Sequence, residues 1–292
     1  MFSFRSAAQM KSSRPNRWSS TGSERGAAAT RTSTPARSVR ALSRDDLDVV
    51  FQPIVDLGTR RIFAYEALTR CKWSEYTNPA VLFNKASKED GCGRLGRLIR
   101  EVTFDRGAGV PLFVNVHPDE LRARWLVRPD DPLFEHDHHV FVEITESTAF
   151  SHYELCRGVL SEVRARGGVF LAVDDLGAGY SNLGRVLDLE PHVVKLDRAL
   201  VTGLDKSPRK QILVRHVVAL CRELGATVVA EGIETPDELT AVMDVGAQFG
   251  QGWVFAKPAF PMPRAKWPGQ KSLPPETAAK VAFGARLRSV AR

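Results

Sequence analysis

The feature that most constrains the fold of this chain is a series of short apolar runs, each followed by a charged or amide side chain. The runs cover residues 112–114, 140–142, 169–173, 193–194 and 227–230, and they are rich in β-branched residues. Apolar side chains at consecutive positions indicate strands that are buried on both faces, which is typical of parallel sheets. Residues 62–65 lead into Glu66 in a similar way.

Segments with helical spacing separate several of these runs. One apolar stripe lies within residues 155–163 and is followed by two glycines. A second covers residues 212–224 and ends at Gly225, and a third covers residues 239–243 and ends at Gly246. Strands that alternate with helices in this way predict either a β/α barrel or a doubly wound parallel sheet.

The polar residues that follow the runs favour the barrel. They are Glu66, Asn115, Glu143, Asp174, Asp175, Lys195 and Glu231. A charge beside one strand end is ordinary, but a series of them is costly unless the charges are paired or bind something. In a barrel the carboxyl ends of the strands meet at one mouth, whereas an open sheet gathers ligands only at one crevice. We therefore expect an α/β barrel with these side chains around its mouth.

The chemistry of this set indicates hard cations. Carboxylate and amide oxygens suit Mg²⁺ or Mn²⁺, while zinc and copper favour thiolates and imidazoles. The adjacent Asp174 and Asp175 could serve two ions about 3.5–4 Å apart, an arrangement that stabilises the attacking and leaving oxygens of a phosphoryl displacement. Lys195 would hold the attacking water or offset charge on phosphorus. The set predicts a metal-dependent phosphodiesterase.

The positive charge of the chain is concentrated at one end. Residues 1–40 hold eight Lys and Arg side chains against Glu24 alone, which equals the whole formal net charge of +7. A segment so rich in Ser, Thr and Arg cannot bury a core. We expect a disordered basic tail over residues 1–44, with at most a weak contact to a partner or an anionic surface, rather than nucleic-acid binding. The barrel would cover residues 45–262, followed by a basic extension over residues 263–292.

Other features predict a cytoplasmic protein. The sequence has no run of eighteen apolar residues and no apolar segment near its start, so we expect neither a membrane span nor secretion. Cys71, Cys92, Cys156 and Cys221 are scattered, which suits free thiols in a reducing compartment better than disulfides or a zinc site.

Seven ordered blocks resemble the EAL family of bacterial cyclic di-GMP phosphodiesterases, named after a Glu-Ala-Leu triplet that stands here at residues 66–68. The blocks are residues 51–56 with 66–70, then 115–116, 143–146, 174–181, 195–198, 230–235 and 251–253. The resemblance covers roughly residues 48–260. It implies a modified TIM-type (β/α)8 barrel whose first strand is antiparallel. It also implies that one phosphodiester of cyclic di-GMP is opened to linear pGpG with two Mg²⁺ or Mn²⁺ ions.

The resemblance further implies roles for individual residues. The metal ligands would be Glu66, Asn115, Glu143, Asp174, Asp175 and Asp197, the catalytic residues Lys195 and Glu231, and the substrate contacts Gln52, Leu68, Arg70 and Gln251. Lys195 would orient the water and Glu231 would act as general base or as a ligand. Glu146 would steady the loop that begins at Asp174, through which family members commonly pair as homodimers.

Several positions depart from the family pattern. The loop after Asp175 carries Leu176, Ala178 and Asn182, and Lys88 stands where a glutamate is usual. These changes remove no metal ligand, so the sequence favours catalysis. They leave open the alternative of a weak or inactive EAL domain that binds cyclic di-GMP and signals through a protein partner. A nucleic-acid-binding protein would leave the acids at the mouth unexplained.

Overall fold

The computed structural model describes residues 37–145, 153–177 and 189–269, and within them eight strands close a barrel in chain order. The strands are β1 (Leu47–Asp56), β2 (Arg61–Cys71), β3 (Leu112–Asn115), β4 (Val140–Thr145), β5 (Val169–Leu176), β6 (Val193–Leu196), β7 (Thr227–Ala230) and β8 (Phe249–Gly250). β1 is antiparallel to both of its neighbours, β2 and β8, and the other neighbouring pairs are parallel. The predicted barrel with one antiparallel strand is confirmed.

Helices connect the parallel strands. The described ones are α1 (Pro79–Lys88), α2 (Cys92–Arg106), α3 (Pro118–Arg122), α4 (Tyr153–Ala165), α5 (Arg198–Val201), α6 (Pro208–Glu223) and α7 (Pro236–Asp244). The helices predicted from the apolar stripes are α4, α6 and α7. The last two begin earlier than their stripes because Ser207 and Thr235 cap them and a proline follows each cap. None of the described helices is long and apolar enough to span a membrane.

Four strands, β3 to β6, extend beyond the apolar runs that predicted them. β4 continues to Thr145 and β5 to Leu176, so Glu143, Asp174 and Asp175 lie inside strands and not after them. Hydrogen bonding between strands does not require apolar side chains, so the strands continue past the point where the side chains change from apolar to polar. Glu66, Glu143, Asp174 and Asp175 consequently occupy rigid strand positions, whereas Glu231 follows the end of β7.

The barrel interior has its own apolar cluster, separate from the larger core between strands and helices. This inner cluster consists of Ile54, Ala64, Phe113, Phe141, Ala172, Val193, Val229 and Phe249. The Phe113 and Phe141 rings stack with their centroids 4.2 Å apart, and Phe63 and Phe249 stack at the same distance. Residues of opposite parity in the same strands face the helices and belong to the larger core.

We expect Phe141→Ala to lower the free energy of unfolding by about 3–5 kcal/mol, because it leaves a cavity among rings that cannot collapse into it. Urea unfolding of the full chain measures this value. The control is Leu213→Ala on the exposed surface of α6, where a change within about 0.5 kcal/mol is expected. Equal losses in the two variants would contradict the inner cluster's role in stability.

The ends of the barrel unit reach further than the sequence indicated. Val39 and Leu42, which composition placed in the tail, are buried in the main core, and so are Ala265 and Trp267 after residue 262. Val39 and Leu42 lie in a segment rich in Ser, Thr and Arg, and its average composition does not indicate that these two side chains pack against the barrel. Residues 1–36 and 270–292, the remainder of the predicted tail and extension, lie outside the described residues.

Candidate metal-binding active site

Eight polar side chains, carried by the strands or lying just beyond their ends, line the mouth of the barrel. They are Gln52, Glu66, Asn115, Glu143, Asp174, Lys195, Glu231 and Gln251, and each lies two positions along the chain from a member of the inner cluster. Residues two apart share a face of a strand, so each strand places an apolar side chain inside the barrel and a polar one above it. Because β1 runs in the opposite direction, its polar residue Gln52 comes two positions before the inner-cluster residue Ile54 and not after it.

Lys195 lies at the centre of this set and is completely buried. Its Nζ is 2.5 Å from Glu143 Oε1 and 2.6 Å from Glu231 Oε1. Asp174 Oδ1 and Glu66 Oε2 follow at 3.5 Å and 3.6 Å. One ammonium therefore faces four carboxylates that come from four different strands or strand ends.

These contacts are ion pairs at close range and not well-directed hydrogen bonds. Lys195 Nζ, both carboxylate oxygens of Glu143 and Gln251 Oε1 are buried, and none of them has a partner with hydrogen-bonding geometry among the described residues. Buried charges left in this condition are costly. Among the described residues, five carboxyl groups, Asp175 included, surround the one ammonium of Lys195, so bound cations could offset the remaining negative charge.

The electrostatic consequence is visible in the pKa values. Burial raises the pKa of Glu143 and of Asp174, and their carboxylate neighbours raise it further. Burial and the charge of Asp174 likewise raise the pKa of Glu231. Burial alone would lower the pKa of Lys195, but the surrounding carboxylates raise it well above its usual value. Lys195 is therefore an ammonium across the neutral range, and the acids hold protons more readily than exposed carboxyls do.

The neighbouring Asp174 and Asp175 face the same mouth because the strand is irregular there. Consecutive side chains in a regular strand point to opposite faces. The β5–β6 register shifts between Val173 and Leu176, and Asp175 has a left-handed φ of 62°. The Asp175 amide donates to Asp174 Oδ1 at 2.8 Å. A β-bulge of this kind redirects a side chain, and aspartate tolerates the left-handed conformation better than most residues.

A short hydrogen-bond chain holds Glu66. Gln251 Nε2 donates to Glu66 Oε2 at 2.6 Å and lies 3.3 Å from Gln52 Oε1, while Gln52 Nε2 donates to the carbonyl of Ala256 at 3.2 Å. Asn115 Nδ2 is 3.5 Å from the other Glu66 oxygen. The structure brings the predicted Gln52, Glu66, Asn115 and Gln251 together and gives Gln251 a positioning contact with Glu66.

The turn that carries Glu231 is fixed by a residue that the sequence analysis did not select. Glu238 Oε2 accepts the amides of Glu234 and Thr235, and its Oε1 accepts the amide of Gly203. Glu238 thus joins the turn after β7 to the turn after α5. The sequence does contain a motif from which this role of Glu238 could have been predicted, a Thr-x-x-Glu capping box at residues 235–238.

The remaining predicted residues occupy the edge of the mouth. Leu68 and Arg70 share a face of β2 with Glu66, and both are half-buried. Burial lowers the pKa of Arg70, and its guanidinium donates to the carbonyl of Thr69 at 2.8 Å. Asp197 caps α5 by accepting the amide of Ala199 at 2.7 Å, and its charge contributes to the raised pKa of Asp175. Glu146, Ala178 and Asn182 lie outside the described residues.

The donor set fits a divalent cation with oxygen ligands. Asp174, Asp175 and Glu231 each offer a carboxylate oxygen, and these three atoms lie within 4.8 Å of one another. The unpartnered oxygens of Glu143 are available beside them. Hard cations bind such oxygens, and an ion would offset the excess negative charge described above.

Comparison with known proteins agrees with this geometry. Cyclic di-GMP phosphodiesterase RocR from Pseudomonas aeruginosa is 35% identical over 235 residues, which cover 75% of this chain and 59% of RocR. A manganese/cyclic di-GMP complex of Klebsiella pneumoniae BlrP1 is similar with a TM-score of 0.65 and 30% identity, over 76% of this chain and 58% of BlrP1. The EAL domain of Mycobacterium smegmatis DcpA is 29% identical with a TM-score of 0.60, over 73% of this chain and 93% of that domain.

The chain spans less than two thirds of the length of the curated relatives it matches, 59% in the case of RocR and 27% in the case of the Sinorhizobium fredii protein y4lL. The similarity therefore concerns one domain of larger proteins. The profile of the EAL domain matches residues 36–258, which include all eight strands and every described residue of the mouth. The closed barrel, the polar side chains at its mouth and this match together show that the chain belongs to the EAL domain family.

Proposed function

We propose that this chain hydrolyses cyclic di-GMP to linear pGpG in a reaction that depends on divalent cations. The observation that carries the proposal is the buried Lys195, whose ammonium lies within 3.6 Å of four carboxylates at the barrel mouth. A purely structural ion cluster would balance its charges, whereas this one leaves negative charge for cations to offset.

The metal centre would hold two Mg²⁺ or Mn²⁺ ions. Glu66, Asn115, Glu143 and Asp174 would hold one ion, and Asp174 and Asp175, with Asp197 close by, would hold the other. When bound, the ions would supply positive charge to the phosphodiester and favour ionisation of a water. Four of these carboxylates are fixed in strands β2, β4 and β5, so little reorganisation would be needed on binding.

The protein's own groups have distinct roles in this proposal. Lys195 is held protonated by its carboxylate neighbours, so it cannot accept a proton and instead orients the water and offsets charge on phosphorus. Glu231, 2.6 Å from Lys195, would accept the water proton as general base or serve as a ligand. The hydroxyl of the water bonds to phosphorus, the bond from phosphorus to the ribose 3′ oxygen breaks, and that oxygen takes up a proton.

Substrate contacts are proposed for Gln52, Leu68, Arg70 and Gln251. Arg70 offers a guanidinium that matches phosphate oxygens, and Leu68 offers an apolar side chain for a base. Both lie on the face of β2 that carries Glu66. Gln52 and Gln251 are buried and act at least in part by holding Glu66.

The test is incubation of the full chain with cyclic di-GMP and Mn²⁺ or Mg²⁺, followed by chromatography. Formation of pGpG that requires the cation and is lost in Glu66→Ala would support the proposal. Tight binding of intact cyclic di-GMP with no product would contradict it and favour the receptor alternative. In that case a search for a protein partner would follow.

Metal binding is expected to depend on pH through Asp175. Burial and the charge of Asp174 raise the pKa of Asp175 to about 7. Below that pH the carboxyl is protonated, and the proton competes with the cation. The apparent Mn²⁺ affinity should therefore rise up to about tenfold per pH unit below pH 7 and level off above it.

Calorimetric titration with Mn²⁺ between pH 5.5 and 8.5 measures this profile. Asp175→Asn is the matched control, because it removes one titrating carboxyl at nearly constant volume and should make the pH profile less steep. An affinity that does not change between pH 5.5 and 7 would contradict the assignment of Asp175 to the metal centre.

Pairing of two copies through the loop after Asp174, a contact made by the basic tail and a cytoplasmic location remain predictions. Sedimentation of the full chain, and of a chain that lacks residues 1–36, would test the first two. A monomer at all accessible concentrations would contradict the homodimer.

A further inference from the structure

A second group of metal-ligating side chains lies outside the barrel mouth. Cys92 is the first residue of α2, His117 is the N-cap of α3, and Asp119 is the second residue of α3. Each offers one ligand atom, and the three atoms lie within 4.8 Å of one another. Cys92 lies about 25 residues before His117 in the sequence, and the scattered cysteines gave no sign of the cluster.

Two of the three distances between the ligand atoms match those expected around a tetrahedral ion, and the third is at most 4.8 Å. Asp119 Oδ2 is 3.6 Å from His117 Nδ1 and 3.8 Å from Cys92 Sγ. Tetrahedral bonds of about 2.0–2.3 Å to oxygen, nitrogen and sulfur place neighbouring ligand atoms roughly 3.3–3.8 Å apart. The cluster would therefore need only small adjustments to close around an ion.

The surroundings hold these side chains in place. Ser87 Oγ donates to Asp119 Oδ2 at 2.6 Å, and Arg122 pairs with Asp119 Oδ1 at 3.1 Å. The His117 ring stacks on Phe83 with centroids 5.4 Å apart. Such outer contacts orient ligands in metal sites. Cys92 is buried while His117 and Asp119 are partly exposed, which leaves a side open for a cation and a water.

We propose that Cys92, His117 and Asp119 bind a thiophilic divalent cation such as Zn²⁺, with a water as fourth ligand. Sulfur, nitrogen and oxygen donors together favour zinc-like ions, whereas the mouth offers oxygens that favour Mg²⁺ or Mn²⁺. This proposal does not depend on the proposed hydrolysis of cyclic di-GMP.

Binding has a cost that the cation must offset. Burial and the charges of Asp119 and Glu120 raise the pKa of the Cys92 thiol to about 12, so the thiol is protonated at neutral pH and must release its proton to the solvent. His117 Nδ1 accepts the Asp119 amide at 3.2 Å, and a cation on that nitrogen would replace this cap. The reciprocal bond from the His117 amide to Glu120 Oε1, 3.0 Å long, would keep the start of α3 in place.

An ion here would tie two turns together. Ser87 lies in the last turn of α1, Cys92 begins α2, and His117 follows Asn115 of the mouth by two residues. We therefore expect the cation to stabilise the turn that positions Asn115.

Cobalt titration of the untagged full chain tests the proposal, because Co²⁺ replaces Zn²⁺ and only a thiolate ligand gives an intense charge-transfer band. Saturating Mg²⁺ occupies oxygen sites during the titration. We expect the band to saturate at one Co²⁺ per chain and to disappear on addition of Zn²⁺.

Three variants locate the site. Cys92→Ser should abolish the band, and His117→Asn should weaken Co²⁺ binding at least about tenfold while still capping α3. Cys221→Ser, which removes a buried thiol elsewhere, should leave the band unchanged. A titration without a thiolate band, a band that survives in Cys92→Ser, or unchanged Co²⁺ affinity in His117→Asn would overturn the proposal.

Discussion

Replacing Glu66 by glutamine is expected to lower the turnover of cyclic di-GMP by about a hundredfold or more, while the fold remains intact. The change removes one negative charge and one hard oxygen donor from the mouth. It keeps the shape of the side chain. The loss should therefore appear in catalysis and in cation affinity, and not in the unfolding transition.

The hydrogen bonds around Glu66 explain why the fold should tolerate this change. Glu66 Oε2 accepts from Gln251 Nε2, while Gln251 Oε1 has no hydrogen-bond partner in the part of the chain that the structure describes. If the Gln251 amide turns over, its oxygen faces the new glutamine amide and can accept from it. A buried donor is then satisfied, and the usual penalty for an unpaired group is avoided.

Product formation is measured at increasing Mn²⁺ concentrations, with thermal unfolding followed in parallel. Glu154→Gln, an exposed glutamate on α4, is the control and should match the unaltered chain. If Glu66→Gln kept both its turnover and its Mn²⁺ dependence, Glu66 would not be a ligand. The cation at the mouth would then have to be held by the Asp174, Asp175 and Glu231 cluster alone.

The sequence predicted the barrel because burial on both faces leaves a clear pattern in a strand. Runs such as residues 169–173 are apolar at every position, since one set of side chains meets the helices and the other meets the barrel interior. The same alternation explains why the site was predictable. Glu143 and Lys195 each lie two positions after an inner-cluster residue, so they must share its inward face.

The arrangement of the two adjacent aspartates could not be predicted in the same way. A regular strand would send Asp175 away from Asp174. The left-handed φ of Asp175 depends on the register shift against β6, a contact between segments about twenty residues apart. Local sequence specifies that aspartate tolerates this conformation, but the pairing of the strands decides that it is adopted.

The ends of the domain were misjudged for a related reason. Val39 and Leu42 stand among Arg and Ser residues, and composition averaged over the segment predicts a tail. The Ser38 hydroxyl donates to Glu89 at 2.7 Å, and Arg37 pairs with Glu75 at 2.8 Å. The partners in these contacts lie about forty to fifty positions away in the sequence, so the average composition of the segment contains no information about them.

Lys195→Met is expected to lower the free energy of unfolding of the cation-free chain by about 3–5 kcal/mol near pH 8. Methionine fills most of the lysine's space, so the loss is electrostatic. Glu143 and Glu231 would remain buried with no ammonium at 2.5 Å and 2.6 Å to balance them. Lys206→Met, on an exposed connection before α6, is the control and should change stability by less than about 0.5 kcal/mol.

The sign of the pH dependence distinguishes this mechanism from a simple packing defect. The pKa of Lys195 is raised in the folded chain, so its stabilising effect is fully present below the ordinary lysine pKa. The pKa values of Glu143, Asp174 and Glu231 are also raised. As the pH falls, these carboxyls take up protons and no longer need a cation to balance them. The loss in free energy of unfolding caused by Lys195→Met should therefore be smaller at pH 5.5 than at pH 8. A packing defect would persist at both pH values.

Added Mn²⁺ separates the structural role of Lys195 from its proposed chemical one. The cation offsets the same carboxylates, so it should restore a large part of the stability of Lys195→Met at pH 8. It cannot replace an ammonium that orients water, so turnover should stay low at saturating Mn²⁺. If turnover returned together with stability, Lys195 would serve charge balance alone. If turnover per site were normal and only KM rose, Lys195 would act in substrate docking.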